Sequence, residues 1–319
     1  MYQHTYRIDE EKFVANKADN MLRTVILLAG MAGILALLGW FLAGEEGIWW
    51  SIILALLIGT FIPGAAPSLV LRMSGAQWLE PRRYPEMYRL LADLARRAHL
   101  EAVPQLYRIP SATPNAMTVG SKRDASIAVS DGLLRLLNRE ELIAVFAHEI
   151  SHIKNEDLSV ISAADAFRRL TSAIATAVQL FLLLTLPILL LAGYSISWTV
   201  LLITMAAPSL SALLQLALSR TREFNADMDA AILSGNPLAL ATALEKIAGY
   251  DRRLLRWLGL PFGKPNDLGL LRTHPKTQER VARIMELARQ PVLRPTQRVN
   301  GVLQPFYLPV RVVPGLRHG

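Results

Sequence analysis

Three residues in the stretch VFAHEISHIKNED, His148, Glu149 and His152, have the types and spacing for hydrolytic chemistry. On a helix, side chains four apart share one face, so two imidazoles can offer nitrogens to one zinc ion at about 2.0 to 2.1 Å. Glu149 projects from the flank of that face. A carboxylate there is poorly placed to ligate the same metal but well placed to take a proton from a metal-bound water, whose pKa zinc lowers to about 7. The spacing His-Glu-x-x-His arises by chance in a chain this long on the order of once in a hundred. Its bland reading is two surface or core histidines.

A zinc enzyme needs a third ligand, and SRTREFNAD, Ser219 to Asp227, offers one. Glu223 and Asp227 are again four apart on an expected helix that continues through Leu233. Glu223 can complete the ligand set while Asp227 accepts a hydrogen bond from a ligand histidine and fixes its tautomer. Taken alone, the pair would be an ordinary solvated helix face. The 319 residues include no cysteine, which rules out disulfides, thiolate metal sites and a cysteine nucleophile, so a transition metal would rest on His, Asp or Glu.

These groups must be held by elements that the composition places in a membrane. Hydrophobic residues make up 52% of the chain and mean hydropathy is +0.30, both high for a water-soluble protein. Charge-free runs extend from Thr24 to Gly44, from Gly47 to Leu71 and from Leu170 to Ser219. The last is long enough for two helices, about Ser172–Gly193 and Trp198–Leu218, joined by YSIS. A spanning helix needs about 20 apolar residues, so four spans are expected, paired as two hairpins. The first run follows a charged stretch and is itself followed by another, which argues against a cleaved signal peptide.

The net charge of +8 is distributed as a topology signal. Arg7, Lys12, Lys17 and Arg23 precede the first span, Arg72, Arg82 and Arg83 follow the second, Arg168 and Arg169 precede the third, and Arg220 and Arg222 follow the fourth. The two hairpin loops carry no Lys or Arg. The positive-inside rule then places segments 1–23, 72–171 and 219–319 in the cytoplasm, with 24–71 and 172–218 in the bilayer. Remaining basic residues suit anionic headgroups; Arg220 and Arg222, which flank Glu223, can salt-bridge in the cleft or grip lipid phosphates, the second being the default expectation. No nucleic-acid motif accompanies the charge, so no nucleic acid is expected as a partner.

Within the polar segments, PEMYRLLADLARRAHL reads as an amphipathic helix and QLYRIP as a strand, while NAMTVG and ASIAVS flank SKRD as a hairpin. Asn138 is the expected N-cap of the helix carrying His148, with Glu140 and Glu141 in its first turn. Asn155 and Asp157 are expected to close that helix. The connection Arg252 to Pro275 is long and contains Gly and Pro, so it reads as a lid or a substrate path. The tail from Gln290 is Pro-rich and aperiodic, expected to be extended on the surface or disordered. His4, His99 and His318 have no recognisable partner and read as surface residues.

In the order PNAMTVG, FAHEISHIKNED, SRTREFNAD and THPKTQERVARI, between about Pro85 and Arg283, the chain resembles the HtpX-type membrane zinc metalloproteases, relatives of the type 1 CAAX prenyl proteases. Two apolar spans before His148 and two between it and Glu223 fit the same resemblance. It implies a mainly α fold, with four transmembrane helices and a cytoplasmic α+β, zincin-like (gluzincin) protease domain holding a small β-hairpin or sheet. It further implies one zinc ion on His148, His152 and Glu223, with Glu149 as general base and later proton donor, and Asp227 orienting His148. Asn115 and Ala116 match an edge strand beside the cleft that can pair with a peptide backbone, with Met117 where the family has an aromatic. A plain hairpin edge is the alternative. His274 matches a histidine that can stabilise an oxyanion, or else packs at a helix start.

The function expected is an integral membrane zinc endopeptidase of the bacterial cytoplasmic membrane, with unfolded or membrane proteins as substrates and the bilayer as partner, acting in quality control. The rival readings are a CAAX prenyl protease, which needs a larger helix ring than four runs provide, an inactive membrane scaffold or chaperone with a vestigial metal site, and a lipid-binding protein. Natural substrates, cleavage preference, oligomeric state and the role of the first 20 residues are not legible.

Overall fold

The computed structural model describes residues 3–8, 10–61, 67–193, 198–257, 277–294, 297–299 and 302–304. His274, His318, the YSIS turn and most of the Arg252–Pro275 connection lie outside these.

After a strand β1 (Gln3–Ile8), helix α1 covers Glu10–Phe61 but breaks at Ala43 and Gly44, where φ turns positive (63°) at Gly44. A straight helix would put Gly39 and Gly47 about 12 Å apart. Instead their backbones touch, so that a Cβ on either would collide with the other's carbonyl, and Leu35 packs in one cluster with Ala55. The chain folds back on itself there, and only two glycines allow so close a crossing.

The apolar run expected to continue to Leu71 stops being one helix at Phe61, and Pro67–Met73 forms a separate short helix, α2. Pro63 and Gly64 intervene and Pro67 opens α2, a position where its missing N–H costs nothing. Two further helices are long. Helix α6 (Asp157–Leu191) starts fifteen residues before the expected span, and α7 runs through Trp198–Ser234. Three helices, Lys12–Leu57, Asp157–Ile188 and Trp198–Ser234, are long and apolar enough to cross a membrane among the described residues.

The remaining elements form a small α+β layer at the polar ends of α6 and α7. They are β2 (Gln77–Trp78), α3 (Pro85–Arg97), β3 (Gln105–Ile109), β4 (Ala116–Val119), β5 (Ser126–Ser130), α4 (Asp131–Leu136) and α5 (Arg139–Lys154). Beyond α7 come α8 (Pro237–Trp257), α9 (Thr277–Leu287), β6 (Ala288–Arg294), β7 (Gln297–Val299) and β8 (Val302–Gln304). One sheet has the order β2-β3-β5-β4, with β3 and β5 parallel and the other pairs antiparallel. Strand β4 is therefore an edge, and β4 and β5 form the hairpin read from sequence.

Helix α5 begins with a complete capping box, in which the Asn138 side chain accepts from Glu141 N–H and the Glu141 carboxylate accepts from Asn138 N–H, each at 2.9 Å. Its core side, Phe146, Ala147 and Ile150, is fully buried against Leu91, Leu106, Ile127 and Leu133 from one polar segment and Ala230, Leu240 and Ile284 from the other. Segments on either side of α6 and α7 thus share one core. The N-terminal end of α1 joins them through Lys17, 3.2 Å from Asp229, and Asn20, which donates to Asn225 at 2.8 Å. The tail leaves α9 as β6, paired antiparallel with β1, where the sequence suggests an extended or disordered surface strand.

Candidate metal centre

His148 and His152 lie one helical turn apart on α5, and Glu223 comes from α7, which packs along α5. The Nε2 atoms of the two histidines stand 3.1 Å apart. Glu223 Oε2 lies 3.6 Å from His148 Nε2, and its Oε1 lies 3.9 Å from His152 Nε2. All three ligand atoms fall within 4.8 Å of one another. A tetrahedral zinc with bonds of about 2.0 to 2.2 Å separates its ligand atoms by roughly 3.3 to 3.6 Å, which these spacings bracket.

Each histidine presents its Nε2 because its Nδ1 faces an aspartate, and each aspartate is backed by an arginine. His152 Nδ1 is 2.7 Å from Asp157 Oδ2, and Arg222 Nε donates to Asp157 Oδ1 at 2.5 Å. His148 Nδ1 is 3.1 Å from Asp227 Oδ1, close but too poorly aligned for a good hydrogen bond. Arg280 holds Asp227 by two hydrogen bonds, Nε to Oδ2 at 2.7 Å and Nη2 to Oδ1 at 2.6 Å, and brings Nη1 to 3.2 Å from Glu223 Oε2. Helix α9, which carries Arg280, is seated by Arg283 stacked 3.9 Å over the Phe224 ring.

The electrostatics call for a cation. Glu149, Glu223, Asp157, Asp227, Arg222 and Arg280 are each less than a tenth exposed. Four carboxylates against two guanidiniums leave two negative charges when the imidazoles are neutral, a burial that would be costly if left uncompensated. A divalent ion fits this deficit. Without one, burial pulls the His148 pKa down, but the pull of Asp227 and Glu223 outweighs it and pushes it up to about 10.

Glu149 sits beside the ligands, where the Thr118 hydroxyl on edge strand β4 donates to its Oε2 at 2.7 Å. The cleft at this point has a volume of about 530 Å³ and is lined by Asn115, Ala116, Thr118, His148, Glu149 and Glu223, among others. The structure thus gathers His148, Glu149, His152, Glu223, Asn115 and Ala116 around one cavity, with Asp227 against His148 Nδ1.

Two expectations are corrected. Asp157, expected to close the zinc helix, instead begins α6 and abuts His152. Arg222, expected to contact lipid, is buried against Asp157. The reversal between α5 and α6, with Glu156 in the left-handed region (φ 53°), brings Asp157 back beside His152. Asn155 caps α5 and donates to Asp229 at 2.7 Å, in keeping with a structural role. His99 is exposed. Sequence reasoning misses Thr118 and Arg280. Thr118 lies on a segment singled out as an edge strand and Arg280 within THPKTQERVARI, but nothing in the spacing announces a partner 31 or 53 residues away.

The model of peptidase family M48 matches residues 81–288. The chain belongs to peptidase family M48. It is 33% identical over 292 residues to the Protease HtpX homolog of Burkholderia ambifaria, covering 85% of this chain and 98% of the relative. The Burkholderia thailandensis homolog is 32% identical at the same coverage. Among solved structures, the crystal structure of S. mikatae Ste24p matches with a TM-score of 0.46 and 19% identity, over 86% of this chain and 68% of that one. With its three long apolar helices, this M48 member is an integral membrane metallopeptidase.

Proposed function

We propose that the chain is a zinc endopeptidase of the bacterial cytoplasmic membrane that cuts unfolded or misfolded membrane proteins in their cytoplasmic segments. The observation that carries this reading is two Nε2 atoms and a carboxylate facing one point, with a buried Glu149 beside them on the wall of an open cleft. One zinc ion on His148, His152 and Glu223 supplies, when bound, a Lewis acid that activates water and polarises the scissile carbonyl. Glu149 takes the water proton on one carboxylate oxygen and returns it to the leaving amine, making the site of the gluzincin type. Thr118 holds that carboxylate in place. Asp157 keeps the proton of His152 on Nδ1, and Asp227, 3.1 Å from His148 Nδ1, is placed to do the same once His148 turns to the metal, so that Nε2 is free to ligate.

Edge strand β4 receives an extended peptide backbone from Ala116 onward, with Asn115 lining the cleft just before it. Fold-back of α1 at Gly44 supports a reading of four crossings in two hairpins, which with the arginine distribution favours a cytoplasmic site. His274 is assigned to the oxyanion. The substrate class is part of this proposal, and what favours it is a cleft built on the ends of membrane helices together with the resemblance to membrane proteases.

Purified wild type and Glu149→Gln are compared for bound zinc and for casein cleavage. Equal zinc of about one per chain with cleavage by wild type alone supports the proposal. Equal cleavage, or no zinc in either, overturns it in favour of a scaffold. A knockout membrane proteome with no accumulating membrane protein would exclude the quality-control role.

A further inference from the structure

Helix α2 (Pro67–Met73) takes the last residues of an uncharged run that begins at Gly47, yet it is not part of a span. Its seven residues make about 10 Å of helix, against a bilayer core of about 30 Å, so it cannot cross. Its two faces show what it does instead.

The inward face closes one side of the four-stranded sheet. Leu71, 7% exposed, packs with Val70 against Ile109 (β3), Val119 (β4) and Ala128 (β5), and Tyr107 and Met117 border the same cluster. Residues that alternate with these, Leu106, Ile127 and Val129, point to the other side, into the core shared with α5. Without α2 the second side of the sheet would lie bare.

The outward face is apolar as well. Side chains two positions from Leu71 are turned about 160° away from it, and these are Leu69 and Met73, 50% and 80% exposed. Trp78 on β2 is paired opposite Tyr107 and so projects from the side of the sheet that α2 covers, where it is 54% exposed. Arg72, Arg82 and Arg83 are exposed in the same segment. Arg83 lies 3.5 Å from Glu80, the one acid against three arginines between Pro67 and Pro85.

Large apolar side chains among cations, on a helix too short to span, suit the plane where acyl chains meet headgroups. Two features select lipid over a protein as the occupant. The segment is continuous with a membrane helix, since α2 starts five residues after α1 ends at Phe61. Its excess charge is positive, which complements anionic phospholipid.

We propose that Leu69, Met73 and Trp78, with Arg72 and Arg82, form a membrane-surface site for anionic phospholipid headgroups that lays the covered side of the sheet against the bilayer. The proposal rests on the chain being an integral membrane protein and not on its being a peptidase. It gives the sheet a second support besides the long helices. On β4, Met117 and Val119 pack toward α2 while Thr118, between them, donates to Glu149 at 2.7 Å. One layer of sheet therefore separates the lipid site from the metal-site cleft.

The test exploits a chain without cysteine. Full-length Met73→Cys is labelled with an environment-sensitive fluorophore and reconstituted, one chain per disc, in nanodiscs of phosphatidylcholine with a fixed share of phosphatidylglycerol. Either lipid is supplied in brominated form as quencher. Arg89→Cys on α3, exposed beyond the other side of the sheet, is the water-facing control. Melting temperature shows that each variant is folded, and Trp78→Cys carries the label if Met73→Cys does not fold.

Blue-shifted emission at Met73, quenched more by brominated phosphatidylglycerol than by brominated phosphatidylcholine, supports the site. The local enrichment of the anionic lipid should fall about fivefold for each of Arg72→Gln and Arg82→Gln, and shrink at high salt. Emission like that of the Arg89 control, without quenching, overturns the membrane contact. Equal quenching by the two lipids, or enrichment unchanged by both arginine variants, overturns the headgroup site. A blue shift that brominated lipid does not quench overturns it in favour of a protein partner.

Discussion

Arg280 grips Asp227 through two hydrogen bonds of 2.7 and 2.6 Å although 53 residues separate them. The arginine thereby ties α9 to the very aspartate that faces a ligand histidine. Arg280→Met would leave Asp227 buried without its partner, a loss of about 3 to 5 kcal/mol for a broken buried pair. Zinc affinity is expected to fall about 10- to 100-fold through misorientation of His148 and Glu223. Chelator competition and thermal melting measure the two effects. Full zinc affinity after the replacement would refute the relay from Arg280 to His148.

Thr118→Val removes the hydroxyl that donates to Glu149 while keeping the strand-forming shape of the side chain. Since Thr118 touches none of the three ligands, zinc content should be unchanged. A hydrogen bond to a charged group is worth about 1.5 to 3 kcal/mol, so kcat should drop roughly 10-fold or more. Steady-state kinetics with a fluorogenic peptide, alongside zinc analysis, separates this outcome from a folding defect.

Removing the metal should leave His148 protonated at pH 7, because its pKa rises to about 10 beside Asp227 and Glu223. Zinc then has to displace a proton, and apparent affinity should rise about tenfold per pH unit between pH 7 and 9. Calorimetric titration in two buffers of different ionisation enthalpy should show about one proton released per zinc. The sign for stability is the reverse: in the metal-free protein the gain from protonated His148 is complete below its unfolded pKa of about 6.5 and is lost as pH rises through about 10.

Gly47→Val places a side chain where the Gly39 carbonyl already sits. The fold-back of α1 cannot close around it, and the contact of Leu35 with Ala55 is lost. Expression in membranes should fall several-fold, and the accessibility of cysteines introduced on either side of the Ala43–Gly44 turn should change. Gly33→Ala, where an added Cβ meets nothing within 4 Å, serves as the neutral control.

Local signals make helix α5 readable. Asn138 and Glu141 announce its start, and His148 and His152 their own shared face, because each relation lies within one or two turns. Membrane helices are readable from uncharged length, but their ends are not. The bend at Gly44, the early stop at Phe61 and the start of α6 at Asp157 depend on where chain breakers and neighbouring helices meet. The outer pairs escape for a different reason. Asp157 with His152 requires the sharp reversal at Glu156, and Arg222 with Asp157 and Arg280 with Asp227 join residues far apart in sequence, so spacing carries no trace of them. Solvated-looking charges such as Arg222 are buried because the two polar segments close over them.

Helix α7 spans Trp198 to Ser234 without a break, about 55 Å of axis, of which a bilayer core takes about 30 Å. Glu223 stands five residues beyond Leu218, about 7 Å further along the same rod. Glu223 and the apolar stretch of α7 are thus parts of one rigid measure. The separation of Glu223 from the apolar stretch is fixed along the rod, so a thicker bilayer, covering more of α7, should bring the cut closer to the membrane surface, and a thinner one should move it away. Two nanodiscs of different lipid chain length would turn that geometry into a shift in the mapped cleavage position.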